Sequence, residues 1–146
     1  MKKGIISLTL LILLSVGAFI VYKKVYRPVD EIESLKVDVK IDEASLVNDF
    51  MKDPQDANLK YGERVIELIG KVHKIERTDS SLTFILDKGN EFIIAASIDK
   101  KSLEKAKAIK EQDDITLIGQ YNGFLEPDKT FMMPGTIQLS RCYFPN

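Results

Sequence analysis

From residue 64 to its end the chain falls into five short segments in which apolar and polar residues alternate, and that spacing restricts the fold more than any other feature. Residues 64–75 (RVIELIGKVHKI), 81–86, 91–96, 115–124 and 136–144 each read as a strand. The first is long and is interrupted by Gly70, where a barrel strand can bend sharply through a bulge. Lys88-Gly89-Asn90 marks a hairpin between the second and third. Residues 99–112, rich in Lys, Glu and Ala, read as a helix between the third and fourth. Three strands, a helix and two strands is the order of a five-stranded Greek-key barrel of the OB type, so the expected fold class is mainly β.

Two helices are expected ahead of the barrel. Leu35, Val37, Val39 and Ile41 alternate with Lys36, Asp38 and Lys40 and suggest an extended segment. Asp42 can cap a helix in which Leu46, Val47, Phe50 and Met51 share one face. Asp53-Pro54 starts another, with Ala57 and Tyr61 one turn apart and Gly62 as its stop. Further upstream, residues 4–22 (GIISLTLLILLSVGAFIVY) carry no charge and lie between Lys2-Lys3 and Lys23-Lys24. In a helix that length spans a bilayer's hydrocarbon core, so residues 1–24 are expected to be a single transmembrane anchor. A cleaved secretory signal is the competing reading, with Val16-Gly17-Ala18 as its cleavage site; the run continues through Phe19 to Tyr22 to a basic stop, which favours retention. No cysteine follows the apolar run, so a lipoprotein signal is not expected. Residues 25–41 then serve as linker and extended segment, and residues 42–146 as the folded domain, expected outside the cytoplasm although basic residues on both flanks leave the orientation open.

The stretch from about residue 46 to residue 142 resembles the bacterial tRNA_anti-like family. The resemblance is carried by Phe50, by Ala57-x-x-x-Tyr61-Gly62, by Gly70-Lys71-Val72, by Ile118-Gly119 with Gly123 four residues later, and by Leu139-x-x-Cys142. It implies an OB-fold domain behind a signal peptide or membrane anchor. Members of that family often carry further cysteines in the third and fourth strands; Ala95, Ala96, Gln120 and Tyr121 stand there in this chain, so no such disulfide is carried over.

Charge and cysteine usage narrow the function. Residues 1–30 hold five of the 21 basic residues and one of the 22 acidic ones, which leaves the remainder with 16 basic and 21 acidic side chains. Nucleic-acid binding draws on Lys and Arg, so an acidic domain is disfavoured for it. Cys142 is the only cysteine; it allows no intrachain disulfide or cysteine-based zinc site, and its neighbours Ile137, Leu139 and Tyr143 point to a small buried hydrophobe. The one histidine, His73, stands near Lys71 and Lys74 and reads as a solvated strand position. Asp42-Glu43 and Asp113-Asp114 sit at a helix start and a turn, and Asp79, Asp87 and Asp128 in turns without calcium-loop spacing. No catalytic set, metal site or cofactor is expected.

Binding is the expected role. OB barrels use the face of their second and third strands with the loops after the first and fourth, here residues 76–81 and 125–135. Phe131-Met132-Met133-Pro134 in the second loop is expected to cap the open end of the barrel, with partner contact as the alternative. Tyr121 and Phe124, with Phe84 and Phe92 if they face outward, could stack on bases or sugars. Lys71, Lys74, Arg77 and Lys88 could form a modest basic groove, but Glu67, Glu76, Asp79, Asp87 and Glu91 share the region and suggest a solvated face; the run of Lys100, Lys101, Lys105, Lys107 and Lys110 reads the same way beside Glu104 and Glu111. The candidate binding residues are Lys71, His73, Arg77, Tyr121, Phe124, Phe131 and Met132. The expected function is a membrane-anchored, non-enzymatic binding module of the cell envelope that takes a protein or glycan. A single-stranded nucleic-acid-binding domain and a structural or oligomerisation module are the alternatives.

Overall fold

The computed structural model describes residues 36–79, 81–86 and 91–145. The expected anchor over residues 4–22, the linker up to residue 35 and the turn at Lys88-Gly89-Asn90 lie outside the described residues. Among the described residues no helix is long and apolar enough to cross a membrane. In chain order the elements are β1 (Val39–Asp42), α1 (Glu43–Lys52), α2 (Pro54–Tyr61), β2 (Val65–Arg77), β3 (Leu82–Leu86), β4 (Phe92–Ile98), a 3-10 turn (Lys100–Ser102) running into α3 (Leu103–Ala106), β5 (Asp114–Leu125) and β6 (Gly135–Tyr143).

The five expected strands form a closed barrel. β2 pairs antiparallel with β5 over residues 65–71 and with β3 over residues 72–77. β3 pairs antiparallel with β4, β4 parallel with β6, and β6 antiparallel with β5, which completes the ring. This is the OB-fold arrangement. The bulge expected at Gly70 lies further on, between Val72 and Lys74, where β2 has just changed partner. Gly70 meets a different need: a Cβ there would collide with the Glu43 carboxylate and come within 2.8 Å of Leu86. Glu43 Oε2 accepts the Lys71 backbone N–H at 2.8 Å. That bond fills the gap on one edge of β2 between the last register pair of β1, Asp42 with Ile69, and the first of β3, Val72 with Leu86.

The extended segment before Asp42 joins the sheet. β1 runs parallel to β2, from Val39 opposite Ile66 to Asp42 opposite Ile69. Asp38 secures its start, donating its N–H to the Val65 carbonyl at 2.9 Å while its carboxylate accepts the Val65 N–H at 2.9 Å.

Both leading helices begin on aspartate caps. Asp42 accepts from the Ser45 N–H at 2.9 Å and from the Ser45 hydroxyl at 2.7 Å. Asp53 accepts from the N–H groups of Gln55 and Asp56, each at 3.0 Å, with Pro54 in the first turn where a missing N–H costs nothing. Leu46, Val47 and Phe50 are buried against the barrel, whereas Met51, expected on the same face, is 46 % exposed. α2 is locked to α1 through Asp49, whose carboxylate oxygen accepts from Lys60 Nζ and from the Tyr61 hydroxyl, both at 2.6 Å. The Lys60 and Tyr61 hydrogen bonds hold the Asp49 carboxyl below the usual carboxylate range. α2 ends at Gly62 as expected, but the left-handed residue is Glu63, at φ +58°.

The helix expected over residues 99–112 is much shorter. Its apolar residues Leu103, Ala106 and Ile109 recur every three positions, which suits tight three-residue turns better than a 3.6-residue period. Ala108 and Ile109 accordingly donate three residues back, to Lys105 and Ala106. Asp113 then takes the Lys110 N–H at 2.9 Å, and Gln112 turns left-handed at φ +74°.

Leu68, Phe84, Leu86, Ile94, Leu117, Ile137 and Leu139 fill the interior with almost no exposure. Gly119 and Cys142 interlock on facing strands, since a Cβ at 119 would lie 2.5 Å from Cys142 Sγ. Gly119→Ala is therefore expected to cost about 1–3 kcal/mol, with part of the loss recovered by adding Cys142→Ala; urea unfolding of the four variants of this cycle measures it. In the same assay Asp53→Ala, which removes the α2 cap, is expected to lower stability by about 0.5–2 kcal/mol.

Candidate binding surface

Alternation along β3, β4 and β6 turns one set of residues outward. Leu82, Phe84, Leu86, Phe92, Ile94 and Ala96 face the core, leaving Thr83, Ile93, Ala95 and Ser97 on the outer side, with Ile85 among them in register but itself buried. Register sets these in rows: Thr83 opposite Ser97, Ile85 opposite Ala95, Ala95 opposite Gln138, and Ile93 opposite Thr136. The Thr83 and Ser97 hydroxyls are 3.4 Å apart. Among the described residues Thr83, Ala95, Ser97, Thr136 and Gln138 bring hydroxyl and amide groups and small apolar contacts to this patch, and only further along β6 do the half-buried Arg141 and Tyr143 add a charge and a ring. Charge begins at its margin, where Lys74 and Glu76 pair at 2.8 Å on β2.

The aromatics expected to serve as stacking platforms face the core instead. Phe50 is central, with ring centroids 5.4 Å from Phe124, 5.8 Å from Phe92, 6.0 Å from Tyr121 and 6.2 Å from Tyr61. Tyr121 is buried, and its hydroxyl donates to Asn58 Oδ1 at 2.7 Å. Phe84 and Phe92 also point inward. The strand period puts residues 84, 92 and 121 on the core side, and a ring there gains far more from burial than from exposure.

The loop expected to cap the barrel does not do so. Phe50 and the α1 stripe already occupy that mouth, and Phe131, Met132 and Met133 are 73 %, 92 % and 61 % exposed. The loop is nevertheless tightly built. Asp128 and Met133 exchange two backbone hydrogen bonds of 2.9 Å, and Asp128 Oδ1 accepts the N–H groups of Thr130 at 2.8 Å and Phe131 at 3.2 Å. Met132 completes the turn in the left-handed region at φ +52°. The result is a hairpin whose tip presents apolar side chains, with a shallow groove beside it between Glu91, Pro127, Met133 and Pro134.

The structure does not gather the seven candidate residues. Lys71 is exposed, with its Nζ 3.8 Å from Asp114. His73 sits half-buried in the β2 bulge. Arg77 lies at the far end, beside Ile109 and Glu111. Tyr121 and Phe124 belong to the cluster around Phe50, and Phe131 and Met132 to the hairpin tip. Among the described residues no group of three or more metal-ligating side chains converges.

The sequence pattern of the tRNA_anti-like family matches residues 1–134. The chain belongs to the tRNA_anti-like family. Among solved structures, this tRNA_anti-like chain is similar to a Klebsiella pneumoniae protein called a "putative nucleic acid-binding lipoprotein". The TM-score is 0.53 at 12 % identity, over 82 % of this chain and 98 % of that one, a likeness of fold. No curated protein matches.

For this tRNA_anti-like barrel the residues that sequence reasoning passes over are Thr83, Ala95, Ser97 and Gln138. Their outward direction is already implied by the period of two, but without charge or rings they escape a search for reactive or stacking groups. Arg141 also escapes notice, at φ +52° within β6 and hydrogen-bonded through Nη2 to Gln120 Oε1; nothing in its local sequence signals that conformation.

Burial pushes the Cys142 thiol up from 9.0 to about 12 and the Tyr121 hydroxyl up from 10.0 to about 12. Both must stay protonated in the folded state, so their contribution to stability is intact below about pH 9 and is lost as pH rises toward 12. Urea midpoints are expected to fall through that window. The native thiol is expected to react with a disulfide reagent only after unfolding, which absorbance of the released thiolate measures.

Proposed function

We propose that this chain is a non-enzymatic binding module, tethered to a membrane by residues 4–22 with its barrel outside the cytoplasm, that recognises a protein partner through the outer face of β3, β4 and β6. The observation that carries this is the character of the face itself: Thr83, Ala95, Ser97 and Gln138 offer hydrogen bonds and small apolar contacts without charge. Single-stranded nucleic acid calls for stacking platforms and a positive groove, and sugar rings also favour an aromatic face; Thr83, Ala95, Ser97 and Gln138 supply neither. The name of the Klebsiella protein raises nucleic acid as a second reading, which the modest lysine content around β2 alone supports in this chain. The uncharged run between two lysine pairs supports the tether.

A photo-crosslinking residue at Gln138 in the full chain tests this in intact cells. The expected result is one discrete protein adduct, lost when Ala95→Glu places a charge on the face. A polydisperse adduct that collapses on glycosidase treatment would reassign the face to a glycan, and a self-adduct would make the barrel an oligomerisation module. Salt-sensitive binding of single-stranded RNA or DNA to the purified chain would overturn the reading in favour of nucleic acid. Protease protection of a C-terminal tag reads the sidedness; protection until the cytoplasmic membrane is opened would refute export.

A further inference from the structure

The β5–β6 hairpin is an apolar projection with no role in closing the barrel, and its position relative to the entering chain suggests what it meets. β5 runs toward the hairpin, β2 runs antiparallel to β5, and β1 runs parallel to β2. β1 therefore runs away from the hairpin, and Lys36 to Asp38 lead into it at the hairpin-side end of the barrel. Thirteen residues, 23–35, separate the uncharged run from Lys36. Fully extended they reach roughly 45 Å, which bounds how far the barrel can stand from a bilayer that holds residues 4–22.

We propose that the hairpin tip is a lipid-surface contact, in which Phe131, Met132 and Met133 enter the interfacial region of the same membrane that holds the anchor; this rests on the tether proposed above. The size and shape of the tip favour a bilayer over a protein as the occupant, and the pre-set turn and the proposed tether make the contact feasible. The tip is convex and small, whereas a stable protein interface buries about 800 Å² on each side; a bilayer needs no matching surface. Asp128 fixes the turn in advance, so little freedom is lost when the side chains insert. Tethering keeps the tip at high effective concentration beside the membrane, so that a modest apolar area suffices for contact. Glu126, Asp128 and Lys129 flank the tip without a basic excess, so insertion depends on apolar area and not on anionic lipid.

The chain contains no tryptophan, so one introduced residue reports alone. Phe131→Trp in the full chain, reconstituted in phosphatidylcholine vesicles with and without acyl-brominated lipid, tests the contact. Lys107→Trp at the opposite end of the barrel serves as the control. The expected result is a shift to shorter wavelength and loss of emission with brominated lipid for Phe131→Trp, little changed by salt, while Lys107→Trp emits as in water. Vesicle flotation separates the failures. A chain that floats while Phe131→Trp stays unquenched, or while both positions are quenched alike, overturns the hairpin contact and leaves the tether standing. A chain that does not float overturns both.

Discussion

The ring of strands closes through β2, which serves different partners along its length. Its first half belongs to β5 and β1, its second half to β3, and at the exchange the backbone N–H of Lys71 is left without a strand to bond to. The Glu43 carboxylate takes that position from outside the sheet. For the carboxylate to fit, residue 70 can carry no side chain, and for Glu43 to be there, α1 must start directly after β1. The Asp42 cap, Glu43, Gly70 and the change of partner thus form one linked arrangement. Loss of any part leaves a strand N–H without its protein acceptor or two groups in collision.

What α1 does at the barrel mouth follows from the same start point. Launched from Asp42, it brings Leu46, Val47 and Phe50 across the opening, and Phe50 meets four other rings there. The barrel is thereby closed by its own N-terminal helix, and the long β5–β6 connection is released from packing duty. Its apolar side chains stand in solvent because the place they could have filled is taken.

Much of this was legible in the residues. Strand existence and order follow from period-two alternation, and each boundary of the five barrel strands falls within about two residues of its expected place, whereas β1 starts four residues later than the alternation at Leu35 suggests. Asp42 and Asp53-Pro54 announce both helices because capping is local chemistry that a few residues specify. The errors share a cause: they depend on what occupies space elsewhere. The segment after β4 has helical composition but presents only Leu103, Ala106 and Ile109 to the barrel, and three-residue spacing overrides propensity. Phe131 and Met132 look like a plug until Phe50 is seen in the mouth, and Tyr121 looks like a platform until its strand face is known. The outer face was readable in direction and unreadable in meaning, since Thr83, Ala95, Ser97 and Gln138 advertise no chemistry of their own.

The parallel pairing of β1 with β2 has a mechanical side. Tension on the chain ahead of Lys36 pulls β1 back along its own axis, so the hydrogen bonds from Val39 to Asp42 and the Asp38 clamp on Val65 are loaded together in shear, not peeled one at a time. Behind them stand the Asp42 cap and the Glu43 bond to Lys71, next in line along the same path. The point where the chain enters the domain is thus held by bonds that would share a load along one path.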